Sequence, residues 1–288
     1  MPLTFSPSCM PLSRAGAMPV AAHAASARPA WQRGLAALPQ RGPRDGAMAL
    51  GAAGFPGLSF DAERERAWVC REVAERQIDR LGLAFLRAES GAGAPPSEQL
   101  GATVEQLRGV EQGRPRAVKV ELPGPISLAL QLTDEQERPL ALDPPLREAL
   151  AQHVALRAAW LRELIESAGV SALVVLDEPF LDALDSPFCP LDWEEGGDLL
   201  ARTLDNLRGQ RGLSVEGEPH WAALVELPVD VIFFDAYEHG GTVSQAAQAL
   251  DLPRAFGRGG AGVGAREHHL LRRAGRARRA VAAATGQQ

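Results

Sequence analysis

Two adjacent acids close the run "ALVVLDEPF", Asp177 and Glu178, and they are the most pointed chemical signal in this chain of 288 residues. A carboxylate at the end of a buried strand is costly unless it is paired or opens on a cleft. Successive strand residues point to opposite faces, so at most one of the two acids can face a given site. The functional reading makes Asp177 or Glu178 a catalytic proton carrier, or a ligand for an amino group. The plain reading is a strand-end turn with Glu178 bonded to a neighbouring Arg, because structural pairs also perturb acids.

Three further stretches carry polar residues at the ends of apolar runs. In "GLSVEGEPHW", alternation puts Ser214 and Glu216 on one side of a short strand, and Trp221 ends the stretch. That side faces either water or a ligand site. "ELPGPIS" places Gly124, Pro125 and Ser127 where glycine allows a backbone to approach a substrate, although an ordinary strand-to-helix turn uses the same residues. "VDVIFFDAY" ends on Asp235. Gly124, Pro125, Ser127 and Trp221 are candidate substrate-binding residues.

Weaker signals read as bland. Gly257, Gly259 and Gly262 match G-x-G-x-x-G, but no strand precedes them and no helix pattern follows, which argues against a dinucleotide site. His239, His268 and His269 lack partners at metal spacing, so solvated histidine is expected. Cys70 reads as a small apolar residue within a helix. Asp192, Glu194 and Glu195 suit a helix start, where the dipole favours acids.

These residues must be positioned by elements. The spacing predicts a helix from Asp61 to a stop at Gly82, then a short strand "LAFLRAE". It predicts a further helix over "PSEQLGATVEQLRGVEQG" and a strand over "RAVKVELP". "DPPLREALAQHVALRAAWLRELIESAG" is the clearest helix, with Asp143 as cap, prolines in the first turn and Gly169 as terminator. Strands near residues 171, 212 and 229 alternate with a helix over "WEEGGDLLARTLDNLRGQRG". That alternation indicates a parallel sheet covered on both faces, with polar residues at the carboxyl ends of its strands, as in an α/β barrel. A doubly wound open sheet is the alternative; it is weakened because no Gly-rich phosphate turn follows an early strand.

Composition bounds the rest. The net charge is −6, but residues 253–288 hold eight Arg and one acid, which leaves −13 on the other 252 residues. An acidic body argues against nucleic-acid binding there, and the basic tail lacks interleaved aromatics. The Arg, Ala and Gly bias reads as a GC-rich coding sequence. Three separated cysteines fit a reducing, cytoplasmic setting better than a disulfide framework. No apolar run approaches the ~20 residues of a membrane span, so no membrane partner is expected. Residues 1–28 are Pro-, Ala- and Ser-rich without period and read as disordered or as an over-long start.

Taken together, "VKVELPGPISLAL", "LVVLDEPFL" and "GLSVEGEPHW…VDVIFFDAY" resemble the catalytic half of cobalamin-independent methionine synthase. More closely, they resemble the shorter methionine synthase II-like proteins of the wider uroporphyrinogen decarboxylase-like barrel superfamily. "PAW…LPQR…GFPGL", residues 29–58, is similar to an early segment of those proteins. The resemblance spans residues 29–252 and implies a (β/α)8 TIM-type barrel. Five strands are readable, near residues 83, 118, 171, 212 and 229, so the barrel is expected to be incomplete at both ends and of low stability.

The resemblance also implies an activity: methyl transfer from a folate donor to a thiol such as homocysteine, with zinc holding the thiol as thiolate. It places Asp177 near the amino acid substrate. The family's zinc ligands are His, Cys, Glu and a later Cys; here the first two positions read Ser214 and Glu216, and the third reads Asp235. Serine is a poor zinc ligand, and two carboxylates suit a harder ion such as Mg²⁺ or Mn²⁺. The expectation is therefore a methionine synthase-like methyltransferase, degenerate or weakly active. The alternatives are a metal-independent, decarboxylase-like barrel enzyme using Asp177, Glu178, Glu216 and Asp235, or a non-enzymatic small-molecule binding protein. After Leu252 the charge flips and no strand is readable, so residues 253–288 read as a basic low-complexity tail, and a reading-frame change or a decayed terminus near residues 253–258 is our hypothesis for it. Sequencing the locus tests it: an intact frame, with no aliphatic strands encoded in the alternative frames, overturns it.

Overall fold

In "AVKVELP", every second residue belongs to one face. The computed structural model, which describes residues 35–37, 51–61, 66–93, 105, 108, 117–249, 256–258 and 268–272, forms strand β4 from Ala117–Pro123 and buries Val118, Val120 and Leu122 on one side. Strand β1 is Leu35–Ala37, β6 is Ser171–Glu178, β7 is Gln210–Val215 and β8 is Val231–Asp235. They form one sheet in the order β1-β4-β6-β7-β8, every pair parallel and each strand beside its predecessor within that sheet. The strands expected near residues 118, 171, 212 and 229 are therefore present.

The helices fall on one face of this sheet. They are α3 (Pro125–Gln131), α4 (Pro144–Glu166), α5 (Trp193–Asp205), α6 (Trp221–Glu226) and α7 (Ala236–Ala249). Their apolar residues, including Ile126, Leu150, Leu161, Leu204 and Leu224, join Val120, Leu122, Val174, Leu176, Leu213 and Phe234 in one core. The opposite face has its own small apolar cluster, Leu173, Val175, Val231 and Phe233, which draws only on strand residues. Both faces of the sheet are thus covered, as expected, among the described residues: one by helices and the other by the strands' own side chains. Continuous apolar strands arise here because the second face packs strand side chains against one another.

The capping expectations hold for α4 and α5. Asp143 Oδ1 accepts from the Leu146 N–H at 3.1 Å, with Pro144 and Pro145 following, and Gly169 takes a φ of 73° beyond the far end. Asp192 accepts from the Glu195 N–H at 2.9 Å, and Glu194 and Glu195 occupy the first turn of α5.

Other elements differ from expectation. Strands β2 (Leu58–Asp61) and β3 (Arg66–Val69) form an antiparallel pair, and β3 pairs in parallel with the short β5 (Thr133–Asp134). The chain turns helical only at α1 (Arg71–Glu75) and α2 (Ile78–Leu86). Cys70 stands between β3 and α1 and not within a long helix. "LAFL" is the end of α2, with Leu81 and Ala84 buried and Leu83 and Leu86 exposed, and Gly82 lies inside the helix and does not end it. A run this short does not distinguish the two periods. The helix expected over residues 96–113 lies outside the described residues except for Glu105 and Arg108, and residues 1–28 lie outside them altogether.

Beyond residue 252, where no strand was readable, β9 (Phe256–Arg258) and β10 (His268–Arg272) are strands. β10 pairs antiparallel with both β8 and β9 and extends the sheet past β8. Among the described residues, no helix is long and apolar enough to cross a membrane.

Candidate functional site

At the carboxyl end of β6 the two acids part company. Asp177 lies on the face of Leu173 and Val175, in register with Pro123 on β4 and Ser214 on β7. The Glu178 side chain goes to the helix side and is fully buried. Its Oε1 accepts from the Ile126 N–H at 2.9 Å and its Oε2 from the Ser127 N–H at 2.7 Å, so the carboxylate closes the start of α3. Gly124 is required beside it, since a Cβ there would overlap the Glu178 carboxylate. Pro125 and Ser127 are buried in α3. These three candidate binding residues are therefore tied to Glu178 at the helix side of the strand end.

Asp177 is half-buried on the other face. Burial is the main force that raises its carboxyl to about 6, and the charge of Glu121 adds to it. A hydrogen bond with the Ser214 side chain pulls the other way, Glu216 raises it further, and Lys119 lowers it. For Glu178, burial again dominates and lifts the carboxyl to about 7, against the hydrogen bonds from Ser127 and Ile126. Glu216 is exposed on the loop after β7, where Gly217 turns with a φ of 70°.

Lys119 and Glu121 complete this face and were missed by the sequence reading. They are ion-paired neighbours on β4, and Lys119 Nζ lies 4.1 Å from the centre of the Phe233 ring on β8. The signal was available: the alternation that buries Val118, Val120 and Leu122 sends Lys119 and Glu121 to the opposite face.

The remaining candidates sit elsewhere. Trp221 is buried in the helix-side core, its ring 5.5 Å from Phe234 and 5.7 Å from His239. His239, expected to be solvated, is buried, with Nδ1 3.4 Å from Glu218 and Nε2 3.6 Å from Glu238. Asp235 is half-buried at the end of β8 and accepts from the Glu238 N–H at 3.4 Å at the start of α7.

The donors do not fit the zinc that the resemblance implies. Ser214 is engaged with Asp177, and Asp235 holds a helix N–H. Among the described residues, no group of three His, Cys, Asp or Glu side chains is placed to hold a metal ion. A thiolate-type zinc needs soft or imidazole ligands, and Ser214, Glu216 and Asp235 supply neither. What the face can do is carry protons and pair with a cation. Comparison with known proteins gives no match to a family model, to a curated protein or to a solved structure.

Proposed function

We propose that this chain is a small-molecule-binding protein of the methionine synthase-like barrel type, in which Asp177 receives the ammonium group of an amino-acid-like ligand. The observation that carries this reading is the charge on one face of the sheet. Glu121 and Glu216 both raise the Asp177 carboxyl there, and Lys119, paired with Glu121, is the cation that lowers it. Neighbouring acids that help burial hold the Asp177 carboxyl up favour a cation beside it, and by linkage such a cation draws the proton off Asp177.

Two features favour a barrel over a doubly wound sheet. Strands β1, β4, β6, β7 and β8 follow one another without reversal. Lys119 and Phe233 are three strand spacings apart, roughly 14 Å across a flat sheet at about 4.8 Å per spacing, yet their side chains meet. That contact requires a strongly curled sheet, with Asp177 on its concave side. A barrel places its chemistry at this end of its strands.

Methyl transfer from a folate to a thiol rests on the resemblance alone. The donor set favours binding, or carboxylate-based proton transfer, over zinc-activated thiol attack. The test is calorimetric titration with L-homocysteine and with 4-mercaptobutyrate, its analogue without the amino group. The expected result is binding of homocysteine that strengthens as pH rises through about 6, with release of a proton. Asp177→Asn should weaken it by about tenfold or more, the size of a lost charge-assisted hydrogen bond. Equal affinity for the two compounds would overturn the reading.

A further inference from the structure

Lys119 is the only lysine in the chain, against 29 arginines. It sits neither on a helix surface nor in a loop. It projects from β4 onto the concave face, with its side chain 18% exposed, beside the apolar cluster of Leu173, Val175, Val231 and Phe233. Its Nζ touches the Glu121 carboxylate, and the Asp177 carboxyl feels its charge. Elsewhere in this chain a positive charge is supplied by arginine, and arginine would pair with Glu121 and stack on Phe233 at least as well. What arginine cannot do is give up its proton and attack.

We propose that Lys119 is an amine nucleophile that captures the carbonyl group of a small aldehyde or ketone as an imine, with Glu121 as its base and Asp177 as the proton donor. Glu121 takes one proton from the Lys119 ammonium. The nitrogen lone pair forms a bond to the carbonyl carbon, and the carbonyl π pair moves to oxygen, which takes the Asp177 proton. The nitrogen then loses its second proton to the Asp177 carboxylate. The C–O bond breaks as the hydroxyl takes the proton held by Glu121 and leaves as water. The iminium nitrogen retains its last proton or passes it to Glu121. The net change is amine plus carbonyl to imine plus water, with no oxidant or reductant.

An amine, a base in contact with it, an acid on the same face and an apolar floor are the parts such a step needs. The acids on this face disfavour an anionic partner, so a neutral carbonyl compound is preferred to a 2-oxo acid. The inference depends on where Lys119 stands and not on the ammonium reading of Asp177.

The sequence makes the test direct, because the chain holds two kinds of amine, Lys119 and the N-terminus. The purified chain is incubated with propionaldehyde, or with pyruvate, and cyanoborohydride, and the reduced adduct is mapped by peptide mass. The expected label is on Lys119, saturable in propionaldehyde, and faster than with pyruvate. It should form at least about tenfold faster in the native chain than in urea, a low bound on what a base held against the amine contributes. Glu121→Gln should slow it by a similar factor. Labelling of Lys119 that is non-saturable, or no faster native than unfolded, would overturn the proposal even if no variant folds. Binding of homocysteine does not enter this readout, so the two readings fail separately.

Discussion

Asp177 and Glu178 are consecutive residues with opposite surroundings. On the helix side Glu178 is enclosed, and its two oxygens are matched by two backbone N–H groups. On the concave side Asp177 is half-open, with a serine, two further acids and a lysine for company. A buried carboxylate whose two oxygens each hold a backbone N–H is a structural part. One whose neighbours are other charges has capacity left for a ligand. Elevated proton affinity alone does not separate the two, since burial raises both.

The comparison can be broken by substitution. Glu178→Ala should have the largest effect, about 2–4 kcal/mol of stability by chemical denaturation, because it strands two N–H groups in the core. An effect on Asp177→Ala of the same size would erase the distinction drawn here.

The pH dependence of stability sharpens it. Both acids have folded pKa values above their ordinary ones, 3.8 for Asp177 and 4.5 for Glu178. The native state therefore holds their protons longer than the unfolded chain. Their contribution is complete below pH about 4 and is lost as pH rises through about 6 for Asp177 and about 7 for Glu178. For Glu178 the loss is on the order of 3 kcal/mol. Melting curves at constant ionic strength should show it, and Glu178→Gln should flatten the upper part of the fall.

Gly124→Ala should cost about 1–3 kcal/mol, because its methyl must displace the Glu178 carboxylate. Below pH about 4, where Asp177 is neutral folded and unfolded, the smallest change in stability belongs to Asp177→Asn, within about 1 kcal/mol, although its effect on ligand affinity at neutral pH is the largest of the series.

The core strands β4, β6, β7 and β8 and helix α4 were legible because their signals are local. Caps, a terminator and long apolar runs lie within the segments they define. Segments with mixed periods were not. Trp68 and Val69 fit a helical stripe as well as a strand edge, and pairing with Leu58 and Ser59 decides between them. "AFGR" and "HHLLR" show no alternation, so β9 and β10 are defined by the neighbours they pair with. At the site, Asp177 was legible and the role of Glu178 was not, since its donors lie 52 and 51 residues earlier in the chain. Trp221 looked like a wall of the site because it follows a polar loop. The phase of α6 instead turns it to Phe234.

The solitary lysine has one more consequence, for proteolysis. A lysine-specific protease finds a single scissile bond in 288 residues, between Lys119 and Val120. That bond lies inside β4, flanked by β1 and β6. A protease must draw several extended residues into its cleft, so cleavage waits until the central sheet comes apart. Arginine-specific cleavage samples fraying at many surface positions, whereas the lysine cut, two fragments from one event, reports the population of the globally opened chain.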